Sequence, residues 1–191
     1  MFDNRLNPPR SDYDLNPAWK AERGRVASRP AAVLMPIVAR PEGLSVILIL
    51  RPETMAAHPG QVSFPGGKVD AADSSPVETA LREAEEEIGL ARANVEVLGF
   101  LDCYQVGSGF RVVPVVGLVT PPFTLNVHAR EVADAFEVPL AFLMDKQNHA
   151  LHSRDWKGLS RRYYAMPFGE RYIWGVTAGI LRNLYERIYG T

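Results

Sequence analysis

The segment that most constrains the fold is "SSPVETALREAEEEIGL", which predicts a helix with four glutamates close together. Ser75 can cap the first turn, Pro76 is tolerated at the first helical position, and Gly89 can end the helix. Carboxylates three and four residues apart on a helix repel one another and reduce its stability. The fold must therefore place these glutamates in surroundings that offset their repulsion.

Winding this segment at roughly 100° per residue separates its side chains into faces. Glu83, Glu86 and Glu87 form one acidic stripe, whereas Glu85 lies on the opposite flank and can pair with Arg82 at the surface. The acidic stripe is either a solvated face or a set of oxygen ligands for a hard divalent cation. The apolar stripe predicted to pack on the core consists of Val77, Ala80, Leu81, Ala84 and Ile88.

A glycine-rich loop that contains "PGGK" precedes the helix. Gly66 and Gly67 allow the backbone to approach a ligand closely, and Lys68 adds a positive charge. A loop suited to phosphate next to an acidic helix suited to Mg²⁺ is what a metal-assisted hydrolase of phosphoanhydrides needs. The loop therefore favours the cation site over the solvated face.

The segment "GGKVDAADSSPVETALREAEEEIGL" resembles the Nudix box, whose core is Arg-Glu-apolar-any-Glu-Glu-any-Gly-apolar. Residues 82–90 match every specified position of that core. The resemblance implies a mixed α/β fold, the Nudix α/β/α sandwich with a mixed β-sheet, and hydrolysis of a nucleoside diphosphate linked to another group. It also implies that Glu83, Glu86 and Glu87 bind Mg²⁺ or Mn²⁺, and that Arg82 orients one of them.

The chain departs from the general box in the loop that precedes the helix. Ser74 stands where the box has a glutamate, and the spacing from Gly67 to Arg82 is one residue longer. Asp70 and Asp73 are both close enough in sequence to supply the missing acid. The sequence leaves the choice between them open.

The longer loop and the "FPGG" before it resemble one branch of the family, the coenzyme A pyrophosphatases. The signature of that branch begins with Leu-Leu-Thr-any-Arg-Ser. An arginine, a glycine and Phe-Pro-Gly-Gly follow in that order, and three unspecified residues precede each of them. The matching positions are Arg51, Gly60 and residues 64–67. Ile47, Leu48 and Ile49 stand in place of Leu-Leu-Thr, Pro52 in place of the serine and Ala56 in place of the second arginine. The resemblance extends from about residue 30 to the end of the chain.

This resemblance implies cleavage of the pyrophosphate of coenzyme A or a derivative to 3′,5′-ADP and 4′-phosphopantetheine or its acylated form. Because the match is partial, a Nudix pyrophosphatase of another nucleoside diphosphate derivative is an alternative, with ADP-ribose, NADH or an oxidised nucleotide as substrate. A Nudix domain that binds nucleotide as a regulator without cleaving it is a further alternative. That alternative predicts loss of the acidic trio, which is intact.

Two positions outside the box are further candidates for the site. Arg51 ends an apolar strand, and a charged residue at that position is expected at the accessible end of the strand. We predict that it binds substrate together with Gly66, Gly67 and Lys68. The general base is left open between two carboxylates. Glu83 can be oriented by Arg82, whereas Glu131 begins a segment that can approach the metal site from outside the box.

We interpret residues 1–30 as an N-terminal arm and residues 31–191 as one Nudix hydrolase domain, in which strands and helices interleave. The last helix is amphipathic, and its predicted core side consists of Ile180, Leu181, Leu184 and Ile188. The arm and an apolar hairpin before this helix are compatible with a homodimer.

The composition excludes several classes of partner. The formal net charge of -1 gives no case for binding nucleic acid or an anionic membrane, so we expect a small-molecule nucleotide substrate. No apolar run approaches the roughly 20 residues of a membrane span, and the N-terminus does not resemble a signal peptide. The single cysteine, Cys103, excludes an internal disulfide and favours a cytoplasmic location.

Overall fold

The computed structural model describes residues 10–17, 28–55, 57–156 and 159–190. Ala56, where the coenzyme A signature has an arginine, lies outside these ranges, as does most of the predicted arm. The helices of the described chain are α1 (Pro76–Ile88), α2 (Leu140–Leu143) and α3 (Val176–Tyr189).

Most strands of the described chain belong to one mixed sheet of nine strands. They are β1 (Arg10–Ser11), β2 (Arg29–Arg40), β3 (Gly43–Leu50), β4 (Val62–Ser63), β5 (Gly66–Lys68), β6 (Val95–Phe100), β7 (Tyr104–Gln105), β8 (Phe110–Val119) and β9 (Asp134–Pro139). A second, antiparallel sheet consists of β10 (Ala150–Trp156), β11 (Leu159–Phe168) and β12 (Arg171–Trp174).

The main sheet opens between β2 and β3, and this split positions the glycine-rich loop. Strand β2 pairs with parallel β8 along one edge, and its other edge pairs with β3 only at residues 37–40. Earlier along that same edge, residues 31–33 pair with β5, while residues 49–50 of β3 pair with β4. Strands β4 and β5 therefore fill the gap that β2 and β3 leave as they diverge.

Helices cover the two faces of the main sheet, so the predicted α/β/α sandwich with a mixed sheet is confirmed. On one face, α1 packs against apolar side chains of the central strands: Ala32, Leu34, Val38, Ile47, Ile49, Val115 and Val119. On the other face, α3 and the second sheet cover a separate apolar cluster that includes Met35, Val46, Leu48, Met166, Ile173 and Ile180.

The structure confirms the predicted ends of α1. The hydroxyl of Ser75 accepts a hydrogen bond from the backbone N–H of Glu78 at 3.3 Å, and Gly89 ends the helix with φ 67°.

No helix in the described ranges has both the length and the apolar character that crossing a membrane requires.

Two expectations about the chain ends need comment. Ile188 was expected on the core side of α3, but it is 55% exposed because it lies in the last turn, beyond the apolar cluster that covers Leu181 and Leu184. Within the predicted arm, Asn16 hydrogen-bonds to both the backbone N–H and the carbonyl of Arg162, so residues 10–17 pack on the domain. The domain boundary at residue 30 stays a prediction.

Candidate active site

The three carboxylates of the acidic stripe have different surroundings. The residue Glu87 is only 2% exposed and faces the sheet, whereas the side chain of Glu86 is 59% exposed. Glu83 lies between these extremes, with a side chain that is 16% exposed. The stripe is therefore not a uniformly solvated acidic face, since two of its members face the interior.

Arg82 connects two of these carboxylates. Its Nη1 donates to Glu83 Oε1 and to Glu86 Oε2, both at 3.0 Å. Its Nε and Nη2 donate to Asp73 Oδ1 and Oδ2 at 3.0 and 2.9 Å. The guanidinium is thus directed toward the acidic stripe and not toward Glu85, which is exposed on the other flank. The expected surface pair of Arg82 and Glu85 was therefore wrong, because three other carboxylates bind the guanidinium.

Asp73 is the acid that the sequence left unassigned between two aspartates. Its side chain is 5% exposed and accepts hydrogen bonds from Thr79 Oγ1 at 2.8 Å and from the backbone N–H of Asp70 at 2.9 Å. The guanidinium of Arg82, followed by the N–H of Asp70, holds the pKa of Asp73 well below its usual range. Asp73 thus provides the arginine partner from one position before Ser74, where the general box has its glutamate.

Glu87 occupies the split in the main sheet. Its Oε2 accepts a hydrogen bond from the N–H of Gly66 at 2.9 Å, and its Oε1 lies 3.9 Å from Arg51 Nη1. Burial raises the pKa of Glu87 to about 7, and the charge of Glu83 adds to this effect. The N–H of Gly66 and the charge of Arg51 act in the opposite direction, but they do not outweigh burial.

The paired glycines of the loop are required by close packing. Gly66 has φ 153°, and a Cβ there would lie 2.5 Å from the carbonyl oxygen of Ala32 on β2. A Cβ at Gly67 would overlap the carboxylate of Glu83. The burial of this carboxylate raises the pKa of Glu83, and the hydrogen bond from Arg82 opposes that shift. The glycines thus bring the backbone of the loop against the carboxylates of α1. The sequence had predicted that these glycines allow the backbone to approach a ligand.

The other predicted substrate-binding residues lie on either side of this loop. Arg51 follows β3, and its side chain is 20% exposed beside Glu87. Lys68 ends β5 with an exposed side chain, and its carbonyl accepts a hydrogen bond from Arg82 Nη2 at 3.3 Å. The structure therefore brings the backbone of Lys68 to the arginine of the box, while its charge points to solvent.

The loop that contains Glu131 runs alongside the end of α1. The backbone N–H of His128 donates to the carbonyl of Glu87 at 2.9 Å, and His128 Nδ1 lies 3.3 Å from Glu131 Oε1. The charge of Glu131 contributes to raising the pKa values of both Glu83 and Glu87. Glu131 therefore lies within electrostatic range of the acidic stripe, although it is far from it in sequence.

The donor chemistry of the stripe fits a hard divalent cation. Glu83, Glu86 and Glu87 offer carboxylate oxygens, and the two inward-facing ones have raised pKa values that a cation would lower. Within the described residues, however, no three acidic, histidine or cysteine side chains are gathered into a ready-made metal site. Positive charge beside them comes from Arg82, which bonds Glu83 and Glu86, and from Arg51, which lies 3.9 Å from Glu87.

Comparisons with known proteins show which proteins this chain resembles. The family model described as NUDIX domain matches residues 28–156. The Nudix hydrolase NudL of Yersinia enterocolitica is 43% identical over 161 residues, which span 84% of this chain and 82% of NudL. NudL of Yersinia pestis (strain Pestoides F) is 41% identical over 163 residues, which span 84% of this chain and 80% of that protein.

Two solved structures share the fold at low sequence identity. The Ap4A hydrolase of C. elegans, in a binary complex, aligns with a TM-score of 0.51 and 16% identity, covering 58% of this chain and 80% of that one. The Nudix hydrolase RenU of M. smegmatis aligns with a TM-score of 0.51 and 22% identity, covering 60% and 73% respectively. At these identities the likeness shows the fold alone.

The contact between Asp73 and Arg82 can be tested by Asp73→Asn. Removing the charge that fixes the guanidinium should release Glu83 and Glu86, and should weaken Mn²⁺ binding by about 10–100-fold. It should also lower the melting temperature. Titration of the protein with Mn²⁺, followed by electron paramagnetic resonance, measures the affinity.

The matched control is Asp70→Asn, because the Asp70 side chain accepts a local hydrogen bond from the N–H of Ala72, and the variant keeps the backbone N–H that donates to Asp73. We expect Asp70→Asn to bind Mn²⁺ like the unmodified protein. Equal Mn²⁺ affinities for the two variants would contradict a positioning role for Asp73.

Proposed function

The chain belongs to the NUDIX family of hydrolases, which act on pyrophosphate bonds, and on this premise we propose that its substrate is coenzyme A or a derivative. The products of this reaction are 3′,5′-ADP and 4′-phosphopantetheine, or the acylated form of the latter. Water attacks phosphorus directly, so no covalent intermediate with the protein forms.

One observation, the match of Arg51, Gly60 and residues 64–67 to the coenzyme A signature, supports this proposal above the others. Three of the residues that match the coenzyme A signature lie against the acidic stripe, and one of them, Arg51, is outside the box, whereas Gly66 and Gly67 belong to both motifs. Arg51 is 3.9 Å from Glu87, Gly66 donates its N–H to the same carboxylate, and Gly67 packs on Glu83. The signature and the box thus contribute to one site, as a shared role in binding a diphosphate requires.

In this proposal, Glu83, Glu86 and Glu87 hold the divalent cation, Mg²⁺ or Mn²⁺. A cation at such a site polarises phosphoryl oxygens and lowers the pKa of bound water. Arg82 positions Glu83 and Glu86 through its two 3.0 Å contacts. Gly66 fixes Glu87 through its N–H. Arg51, the backbone at Gly66 and Gly67, and the charge of Lys68 then contact the phosphates.

We assign the general base to Glu131. Glu83 is bonded to Arg82 and packed on Gly67, and this fixed geometry suits a ligand better than a proton carrier. The side chain of Glu131 is 49% exposed, so water can reach it, and it lies within electrostatic range of Glu83 and Glu87. A carboxylate in this position can take a proton from the attacking water.

Glu131→Gln tests this assignment, because it keeps the shape of the side chain and removes its basicity. We expect kcat to fall by about 10²–10⁴-fold with little change in KM, since general bases contribute roughly that much. Steady-state kinetics on the best substrate measure both constants. The control is Glu170→Gln, in an exposed turn between β11 and β12. A kcat for Glu131→Gln within threefold of the control value would assign the base elsewhere.

A second candidate function is favoured by the departures from the coenzyme A signature. Ile47 and Ile49 replace the first leucine and the threonine of Leu-Leu-Thr, and Pro52 replaces a serine. These differences favour another nucleoside diphosphate derivative, such as ADP-ribose, NADH or an oxidised nucleotide. A regulator that binds nucleotide without cleaving it is less compatible with the intact acidic trio and its arginine.

Substrate identity can be tested by a hydrolysis screen with Mg²⁺ and, separately, Mn²⁺. The substrates are coenzyme A, acetyl-coenzyme A, ADP-ribose, NADH and several nucleoside triphosphates, with products separated by chromatography. We expect the highest kcat/KM for coenzyme A or its acetyl derivative and the release of 3′,5′-ADP. A higher value for ADP-ribose or NADH would favour the second candidate, and nucleotide binding without turnover of any substrate would favour the regulator.

The role of the acidic trio is tested by Glu86→Gln and Glu87→Gln, with Glu85→Gln as the matched control. Each trio variant should lose turnover almost completely, because it removes one carboxylate ligand. In the described part of the chain, the exposed Glu85 bonds neither Arg82 nor the glycine-rich loop, so its variant should retain activity. Circular dichroism checks that all three variants fold. Normal turnover in either trio variant would contradict the proposed cation site.

A further inference from the structure

Two buried hydrogen-bonding atoms beside the acidic stripe lack a partner. In the described part of the chain, the buried side-chain polar atoms without a hydrogen bond are Arg51 Nε, Ser63 Oγ and Asn183 Nδ2. Asn183 belongs to α3, on the far face of the main sheet, whereas Arg51 directly follows β3 and Ser63 ends β4, the two strands that pair at its split. Leaving buried polar groups unpaired reduces stability, so a pair of them at one site needs a reason.

The strand register places these two side chains on the same face. Ser63 lies directly opposite Ile49 in the antiparallel pair of β3 and β4, and directly opposed residues share a face. Ile49 packs in the cluster under α1. Arg51 is two residues farther along and therefore faces the same way, which its proximity to Glu87 confirms. Ser63 and Arg51 are thus diagonal neighbours beneath the end of α1.

The arrangement provides hydrogen-bond donors without a matching acceptor. The nearest carboxylate oxygen to the Arg51 guanidinium is at 3.9 Å, whereas Arg82 holds its carboxylates at about 3 Å. The carboxylate of Glu87 already accepts from the N–H of Gly66. A phosphate oxygen is an acceptor without protons to donate, and guanidinium geometry matches it well. A phosphate group is therefore the chemical class that fits between these donors.

We propose that Ser63 is a substrate-binding residue, whose hydroxyl binds the diphosphate of the substrate together with Nε of Arg51. This inference rests on the proposed function only in assuming that the protein cleaves a diphosphate. It does not require the substrate to be coenzyme A or a derivative. Ser63 as a residue is partly exposed but its hydroxyl is buried, so binding requires rotation about its Cα–Cβ bond. Its position among the unspecified residues of the signature explains why sequence reasoning did not select it.

A purely structural role makes a different prediction about stability. If Ser63 served the fold through a trapped water, its removal would break that hydrogen bond and lower the melting temperature. If the hydroxyl is reserved for substrate, it is unpaired in the free protein. Removing it then relieves a buried polar group and leaves the melting temperature equal or higher. Stability and binding therefore change in different directions under the two roles.

The test uses Ser63→Ala in the complete chain, with methylenediphosphonate as a diphosphate that is not hydrolysed. Isothermal titration calorimetry with Mg²⁺ measures its affinity, and thermal unfolding without ligand measures stability. We expect about tenfold weaker binding, the size of one hydrogen bond to a charged group, and an unchanged or raised melting temperature. Ser63→Thr, which restores the hydroxyl, should recover most of the affinity.

The matched control is Ser45→Ala, on β3 but away from the site, where the serine hydroxyl bonds Glu137. This variant should unfold at a lower temperature and bind methylenediphosphonate normally. Unchanged affinity for Ser63→Ala would overturn the proposal, and so would a lowered melting temperature with the affinity retained. Weaker diphosphonate binding by Ser63→Ala, in a protein that hydrolyses no coenzyme A derivative, would support Ser63 and contradict the proposed substrate.

Discussion

The charge balance of the candidate site depends on the guanidinium of Arg82. Three carboxylates share this group, and the two-point contact with Asp73 fixes its orientation toward Glu83 and Glu86. Without the positive charge of Arg82, the glutamates of one helical turn would repel one another next to an apolar core. The arginine thus allows an acidic helix to fold while its carboxylates stay close enough to serve a divalent cation.

The split in the main sheet explains why the site combines residues from separate segments. Because β2 and β3 diverge, β4 and β5 enter between them and bring Gly66 to the carboxylate of Glu87. The same divergence leaves Arg51 and Ser63 facing the end of α1 with unpaired donors. These features reduce stability, since they bury a carboxylate and leave donors without acceptors. Their concentration at one end of one helix indicates a binding site.

The sequence predicted the local features of this site and missed those set by tertiary neighbours. Ser75 and Gly89 mark the ends of α1 because capping depends on residues a few positions apart. The choice of Asp73 as the arginine partner depends on how the longer loop folds back on the helix, which sequence spacing does not determine. The expected pairing of Arg82 with Glu85 was wrong for the same reason. Helical geometry allowed it, but Asp73 lies on the other side.

The location of the signature residues bears on substrate selection. Arg51, Gly66 and Gly67 lie at the carboxylates, and in the proposed function they contact the diphosphate, which coenzyme A, ADP-ribose and NADH all contain. Residues that contact a shared group bind each of these substrates alike and provide little discrimination. Selectivity must therefore come from positions that contact the rest of the molecule. The departure at Pro52 falls between β3 and β4, directly after Arg51.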